Sequence, residues 1–188
     1  MIIVTSDHGE ALGEHNLMGH GLSVNQHQVH IPLIIKYPGQ TTGQVVQPPV
    51  SLVDIVPTVL ETAMVELRPP WVQGVDLRDP EGLASRTVFT ESYPAGLVHF
   101  WTPRLMRTER AVYLDKFKLV VSTRGKRVLY DLEQDPLERS DLSAILPETA
   151  EDLTSRLAAW SSQIKARDGK LELDAETLER LRSLGYIN

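Results

Sequence analysis

The chain has 188 residues, of which 41% are hydrophobic and 23% are charged, a composition that suits one globular domain able to bury a core. Its formal net charge of -6 leaves no excess basic surface to neutralise a phosphate backbone, which argues against a nucleic-acid partner. The lack of cysteine excludes disulfides, thiolate metal sites and a cysteine nucleophile within this sequence. It shows neither a signal peptide nor a run of about 20 apolar residues, so we expect a soluble chain without a membrane span or a visible targeting signal.

Two apolar runs near the start predict buried strands. The β-branched run at residues 2–4 predicts a strand over residues 2–6, and the run at residues 31–35 predicts a second one that ends at a Tyr-Pro-Gly turn. Strands of this kind occur in parallel sheets that are covered on both faces and built from preceding βα units. We therefore expect the sequence to be a fragment of a larger α/β domain. The glycines between the two runs predict a loop over residues 7–21.

A helix is predicted over residues 55–64, although it contains a proline. If Asp54 is the N-cap, Pro57 lies in the first turn, where its missing N–H would have had no intrahelical partner. Residues 67–83 are rich in Pro, Gly and charge and indicate an irregular connection. Residues 87–90 predict a third strand.

The later sequence predicts a small second sheet. Short alternating apolar runs lie at residues 111–113, 118–121 and 127–130. Turn residues at 115–116 and 124–126 separate these runs, so we predict an antiparallel meander.

Two helices are predicted after the meander. The first begins at Pro147 and is capped by Gly169, and the last covers residues 174–184 and ends at Gly185. The apolar stripe of the first helix consists of Leu153, Leu157, Trp160 and Ile164.

Residues 7–20 concentrate side chains that bind metals or move protons. They are Asp7, His8, Glu10, Glu14, His15 and His20. Asp7 and His8 follow a predicted buried strand, and in open α/β sheets ligands bind at the carboxyl ends of the strands. A carboxylate and an imidazole at that point form a suitable pair of metal ligands. Gly9 directly after them would let the backbone turn without a side chain crowding the ion.

Each of these residues also has a structural explanation. Taken alone, Asp7 is typical of a turn or cap residue, and His15 and His20 are typical of a polar surface. Glu10 and Glu14 either solvate the loop or accept a hydrogen bond from an imidazole N–H. The adjacency of Asp7 and His8, with two more histidines downstream, favours the metal-ligand interpretation for that pair.

The remaining histidines carry weaker hypotheses. His27 and His30 are assigned structural roles. His30 directly precedes the second predicted strand, which indicates packing at the edge of that strand. His99 lies in the stretch L-V-H-F-W-T-P, where it either lines a cleft or packs.

Several motifs occur in a fixed order along the chain. They are V-T-S-D-H-G-E, G-E-H, G-H-G, I-P-L-I-I, S-L-V-D-I-V-P-T-V-L, then L-Y-D-L-E-x-D-P-x-E-R-x-D-L at residues 129–142, and L-R-S-L-G-Y near the C-terminus. In sequence and spacing this series resembles the second metal-binding segment, and the residues that follow it, of the sulfatase family within the alkaline-phosphatase-like superfamily. The resemblance covers nearly the whole chain, and a lone D-H-G would be far less specific.

The resemblance implies an α/β fold. The chain would be the C-terminal part of an alkaline-phosphatase-like or sulfatase domain, with a mixed central sheet followed by a small antiparallel sheet and a C-terminal helix. Residues 1–104 would belong to the catalytic domain, and residues 105–188 would form an antiparallel-sheet subdomain with C-terminal helices.

The resemblance also implies roles for three residues. Asp7 and His8 would ligate a divalent cation, commonly calcium, with manganese or zinc in some relatives. Relatives often have asparagine where His8 stands, and the subset with histidine includes sulfatases and phosphonate monoester hydrolases. His20 corresponds to a lysine or histidine that contacts sulfate or phosphate oxygens, where it would stabilise charge or protonate the leaving group.

The implied activity is metal-dependent hydrolysis of a sulfate ester on a small molecule or a glycan. Family members use a formylglycine made within a C/S-x-P-S/T-R motif, which does not occur in these 188 residues, and Thr5 and Ser6 lack its surroundings. We therefore expect the isolated chain to be inactive. One alternative is phosphate or phosphonate monoester hydrolysis, or phosphoryl transfer, on the same fold. Another alternative is a non-catalytic metal-binding or structural module. Separately, the strand edge at residues 2–4 could favour pairing with another chain.

Overall fold

The structure, a computed structural model, describes residues 1–66, 69–70, 72–84, 86–93, 103–164 and 175–183. The strands are β1 (Ile2–Thr5), β2 (Ala11–Leu12), β3 (Met18–Gly19), β4 (Leu33–Lys36), β5 (Thr87–Ser92), β6 (Glu109–Leu114), β7 (Phe117–Ser122) and β8 (Arg127–Asp131). The helices are α1 (Gln26–Val29), α2 (Ile55–Thr62), α3 (Pro80–Ala84), α4 (Pro147–Gln163) and α5 (Ala175–Ser183). The predicted caps Gly169 and Gly185, and His99, lie outside the described residues. Of the helices described, none has both the length and the apolar character needed to cross a bilayer.

The first strand lies in a different sheet from the one predicted. β1 pairs antiparallel with β4, from Ile2 opposite Lys36 to Thr5 opposite Leu33, and these two strands form a sheet of their own. Ile2 is 64% exposed and Val4 54% exposed. The predictions of a buried strand in a covered parallel sheet, and of a mixed central sheet, are therefore wrong for the residues that the structure describes. An apolar run specifies burial only when other elements cover both faces of the strand, and the described residues provide β1 with one partner strand.

The predicted antiparallel meander is confirmed. β6, β7 and β8 pair in sequence order, and β5 joins the free side of β6 to give a four-stranded sheet. Both turns contain a residue in the left-handed region, Asp115 at φ 54° and Gly125 at φ 81°, as tight hairpin turns require. β5 precedes residue 104 yet belongs to this sheet, and the division of the chain at that residue stays a prediction.

Side chains alternate between the two faces of the meander, and each face is covered by other residues. One face packs on α4 through Val112, Leu119 and Leu129, against Ala150, Leu153 and Leu157. The opposite face carries Ala111, Tyr113, Val120 and Tyr130, and Val24 packs on it. Full burial of one such apolar side chain stabilises the fold by about 1.5–3 kcal/mol. The segment that follows the histidine-rich loop is therefore part of the core of the meander.

The helix that begins at Pro147 matches its prediction except at one end. Leu153 and Leu157 are buried, and Trp160 stacks on Phe89 with ring centroids 4.6 Å apart. Ile164, the last residue of the predicted stripe, lies beyond the end of the helix and is 42% exposed. The stripe therefore ends one turn earlier than the spacing predicts.

The helix with Pro57 in its first turn is confirmed, with a different role for Asp54. α2 ends at Thr62, and a 3-10 turn over Leu52–Asp54 precedes it. The Asp54 carboxylate is fully buried and makes no capping bond to α2. It accepts hydrogen bonds from the N–H of Ser51 at 2.8 Å, from the N–H of Val75 at 3.0 Å and from Arg86 Nη1 at 2.7 Å. Asp54 therefore ties this turn to two later segments of the chain.

Candidate functional site

The histidine-rich segment forms a small hairpin where a loop was predicted. Ala11 pairs with Gly19 and Leu12 with Met18, and a 3-10 turn over Glu14–Asn16 lies between the two short strands. Ala11 and Leu17 are buried against Leu105, and Leu22 packs on the same cluster. The apolar side of the hairpin is thereby fixed, while the polar side chains that the sequence singled out face solvent.

One buried glutamine closes both ends of this segment. The carbonyl oxygen of Gln28 accepts the N–H of Gly9 at 2.8 Å, and its side-chain Oε1 accepts the N–H of Leu22 at 3.0 Å and that of Ser23 at 3.3 Å. Gly9 lies between His8 and Glu10, and Leu22 follows shortly after His20. Gln28 therefore brings the two ends of the candidate site together. Sequence reasoning missed it, because no local pattern marks residue 28.

Asp7 and His8 are arranged as a pair with one imidazole nitrogen free. Nδ1 of His8 lies 2.9 Å from the carbonyl oxygen of Gly9, and because that oxygen can only accept, Nδ1 must carry the proton. In a neutral ring Nε2 is then the atom with a lone pair, and it lies 3.8 Å from Asp7 Oδ2. A backbone acceptor on one imidazole nitrogen is the usual arrangement that orients a metal-binding histidine.

His20 is held beside His8 by a carboxylate. Its Nδ1 donates to Glu10 Oε2 at 3.1 Å, and its ring stacks on that of His8 with centroids 4.1 Å apart. Of the two roles considered for Glu10, the hydrogen bond to an imidazole is the one observed. Glu14 instead accepts the N–H of Leu12 at 2.7 Å, within the hairpin itself.

Two overlapping sets of side chains could hold a metal ion. In Asp7 and His8, a carboxylate oxygen and an imidazole nitrogen lie close enough to meet at one divalent cation after a small adjustment. His8, Glu10 and His20 each also offer one ligand atom within 4.8 Å of the others. Oxygen-rich coordination suits calcium or manganese, whereas two imidazoles and a carboxylate suit zinc. The donor chemistry of the described residues therefore fits a divalent metal.

The other histidines of the region pack together. His15 and His27 stack with ring centroids 5.6 Å apart, and His15 adopts a left-handed backbone at φ 50°. Partial burial, reinforced by His15, lowers the pKa of His27 and favours its neutral form. His30 is exposed at the end of α1 and not packed at a strand edge as predicted. These contacts support a structural role for His27.

A cleft lies beside the candidate site. It has a volume of about 970 Å³, and Asp7, His8 and His30 line it together with residues of β5 and Tyr113 of β6. A cavity of this size could admit a ligand as large as a sugar.

The close approach at Gly9 leads to a prediction about stability. A Cβ at this position would clash with the carbonyl oxygen of His27, so Gly9→Ala has to displace the backbone beside the hydrogen bond between Gly9 and Gln28. We expect a loss of about 1–3 kcal/mol in the free energy of unfolding, measured by urea denaturation. Gly43→Ala is the matched control, because a Cβ there meets nothing within 4 Å. Equal denaturation midpoints for the two variants would show that the approach at Gly9 imposes no constraint.

Comparisons with known proteins show which family the chain resembles. The Sulfatase family profile matches residues 1–65, which include Asp7, His8 and His20. Bovine arylsulfatase K is 30% identical over 163 residues, a match that covers 84% of this chain and 30% of that protein. The chain thus spans about three-tenths of the length of this curated relative.

Solved structures share the fold. A protein in complex with its substrate D-glucosamine-2-N,6-O-disulfate superimposes with a TM-score of 0.65 at 23% identity, over 91% of this chain and 36% of that one. The phosphonate monoester hydrolase of Agrobacterium radiobacter gives a TM-score of 0.64 at 24% identity, over 86% of this chain and 34% of that one. At these identities the likeness concerns the fold alone. Together with the family profile and the curated relative, it identifies the chain as a member of the sulfatase family, within the alkaline-phosphatase-like superfamily.

Proposed function

We propose that these residues supply one part of the active site of a metal-dependent sulfate ester hydrolase. The observation that carries the proposal is the arrangement of His8, whose Nδ1 is bonded to the Gly9 carbonyl while Nε2 lies 3.8 Å from Asp7 Oδ2. Asp7 and His8 would hold a divalent cation, with calcium the first candidate and manganese or zinc next. Such a cation would supply Lewis acidity at an oxygen of the ester.

His20 is proposed to serve the leaving group. Glu10 accepts the hydrogen bond from Nδ1, which leaves Nε2 as the atom able to carry a proton to the departing oxygen. The stack with His8 places that ring beside the proposed metal ligands. The nucleophile would come from residues outside this sequence, since the C/S-x-P-S/T-R motif does not occur within it.

The proposed substrate is a sulfate ester on a small molecule or a glycan. Two observations support it: one structural relative was solved with a sulfated glucosamine, and the cleft beside Asp7 and His8 has room for a sugar. We further propose that residues 1–104 form the catalytic part and residues 105–188 a subdomain that supports it.

A chimera provides the test of this function. In it, the present chain replaces the matching segment of bovine arylsulfatase K, so that the relative supplies the rest of the protein. We expect the chimera to hydrolyse an aryl sulfate and Asp7→Ala to lower kcat/KM by about a hundredfold or more, because charge stabilisation at the ester would be lost. His20→Gln should lower kcat by about a hundredfold, because proton transfer typically contributes at least that factor.

The same chimera separates the alternatives. Hydrolysis of an aryl phosphonate monoester in preference to the sulfate would favour the second candidate, which the fold shared with the phosphonate monoester hydrolase and the histidine at position 8 both support. A folded chimera that turns over neither ester, with partner binding unchanged by Asp7→Ala and His8→Ala, would favour a non-catalytic module. Aryl sulfate turnover by the unfused 188-residue chain would contradict the proposal that its nucleophile lies elsewhere.

A further inference from the structure

Lys118 and Glu138 form a fully buried ion pair behind the candidate site. Their side chains are 0% and 1% exposed, and Lys118 Nζ donates to Glu138 Oε1. Lys118 lies on the face of the meander that receives Val24, and the sequence pattern gave it no role beyond its place in a strand. The pair joins β7 to the L-Y-D-L-E-x-D-P-x-E-R motif, whose last Glu is residue 138.

The remaining bonds of this pair go to the segment that follows the histidine-rich hairpin. Lys118 Nζ also donates to the carbonyl oxygen of Val24, and to Gln26 Oε1 at 3.5 Å. Glu138 Oε2 accepts from Asn25 Nδ2 at 2.9 Å and from the N–H of Gln26 at 2.8 Å. Apart from the bond between Lys118 and Glu138, the hydrogen bonds of the pair therefore hold residues 24–26.

A second buried carboxylate holds the same segment from β6. Glu109 Oε2 accepts the N–H of Val24 at 3.3 Å, and Glu109 Oε1 pairs with Arg107 Nε at 2.7 Å. Both backbone polar groups of Val24 are thus bonded to charged side chains of the meander.

A buried ion pair of this kind is not the most stable way to join two segments of a fold. Burying an ion pair costs desolvation, and an apolar pair of similar volume is often as stable or more stable. Burial lowers the pKa of Lys118 to about 8, although Glu138 acts in the opposite direction. Glu138 also adopts a left-handed backbone at φ 55°, a conformation that persists only where its surroundings impose it and that occurs often at functional sites.

Residues 24–26 are connected directly to the candidate site. Residues 24–26 continue into α1, and α1 carries Gln28, which is bonded to Gly9 at one end of the hairpin and to Leu22 at the other. Those two bonds set the separation of His8 and Glu10 from His20. A displacement of residues 24–26 would therefore move both ends of the segment that carries the His8–His20 stack and the Glu10–His20 hydrogen bond.

We propose that Lys118 and Glu138 are positioning residues for the site formed by Asp7, His8, Glu10 and His20, acting through residues 24–28. They touch none of these four side chains. The inference rests on the proposed function only for what the site does, since the geometry it concerns can be measured without catalysis.

Hydrogen exchange of single amides, measured by NMR on the full 188-residue chain, tests the proposal. In the double variant Lys118→Met/Glu138→Leu both charges are replaced by apolar side chains, so the meander is expected to keep its stability. We expect the Gly9 and Leu22 amides to exchange about tenfold faster or more, because local opening becomes easier, while amides of β6 and β7 keep their rates. The nuclear Overhauser effect between the His8 and His20 rings should be lost as well.

Two further variants make the test decisive. Lys116→Met removes a neighbouring ion pair, with Asp131 at 2.9 Å, that does not contact residues 24–28, and it should leave both amides unchanged. Glu138→Gln keeps the shape of the side chain while removing one acceptor. If the double variant fails to fold, the exchange rates of Gly9 and Leu22 are compared with those of β6 and β7 in this variant instead. A purely structural role predicts that all amides change together, so unchanged Gly9 and Leu22 rates relative to β6 and β7 would overturn the proposal.

The result of the exchange experiment can be distinguished from the result of the chimera experiment, which tests the proposed function. An inactive chimera in which the exchange result holds would refute the sulfatase mechanism and leave the positioning of the four side chains standing. The opposite result is an active chimera that keeps its turnover in the double variant, with the Gly9 and Leu22 amides still protected. It would support the sulfatase mechanism and refute the positioning role of Lys118 and Glu138.

Discussion

Asp7→Ala is expected to abolish the stabilisation that calcium or manganese gives to this chain. A ligand at a hundred times its dissociation constant stabilises the native state by about 2.7 kcal/mol. For a chain of this size that corresponds to a rise of about 5–10 °C in Tm. With its carboxylate removed, His8 alone offers a neutral nitrogen to a cation that prefers oxygen ligands, so the rise should disappear. Thermal unfolding with and without the metal gives the measurement.

The control for this experiment is Glu14→Ala, which also removes one negative charge from the histidine-rich segment. Glu14 is bonded to the N–H of Leu12 and does not approach the His8 ring, so the metal response should survive its loss. A response that survives Asp7→Ala and vanishes in Glu10→Gln would contradict the assignment of Asp7 and place the ion among His8, Glu10 and His20.

Asp54→Ala is expected to cost about 3–5 kcal/mol in the free energy of unfolding, which is the range for breaking a buried ion pair by removing one partner. The Arg86 side chain is only 17% exposed and its guanidinium would lose its carboxylate partner. Two backbone N–H groups, of Ser51 and Val75, would also lose their acceptor. Urea denaturation monitored by circular dichroism measures the change.

Asp152→Ala is the matched surface control for that measurement. Asp152 pairs with Arg156 at 2.8 Å, but both side chains are about half exposed, so its loss should cost no more than about 0.5 kcal/mol. Equal costs for the two substitutions would show that the buried bonds of Asp54 stabilise the fold no more than an exposed ion pair does.

Local patterns in the sequence predicted the elements whose partners are close in the chain. The meander follows from alternating runs and turn residues such as Asp115 and Gly125, and α4 follows from Pro147 and the spacing of Leu153 and Leu157. Periodicity is a property of a few neighbouring residues, and it therefore specifies an element without specifying what covers it. That limit explains the error at β1, where an apolar run was placed in a covered parallel sheet.

Within the candidate site, the sequence indicates which residues to consider but not how they are arranged. Asp7, His8 and His20 were selected by residue type and by the resemblance, and the structure brings His8 and His20 into ring contact; their proposed chemical roles stay predictions. Gln28 and the pair of Lys118 with Glu138 carry no local pattern. Their partners lie in other segments of the chain, more than ninety residues away for the bond from Lys118 to Val24.

This last separation has a consequence for the order in which the chain folds. The hairpins of the meander join strands that are neighbours in sequence and can form early, whereas contacts between distant residues must first overcome the entropy of loop closure. Residues 24–26 have no buried charged partners until Glu109, Lys118 and Glu138 have been synthesised and brought together. The segment that bears the candidate site leaves the ribosome before the meander, yet it should reach its final geometry after it.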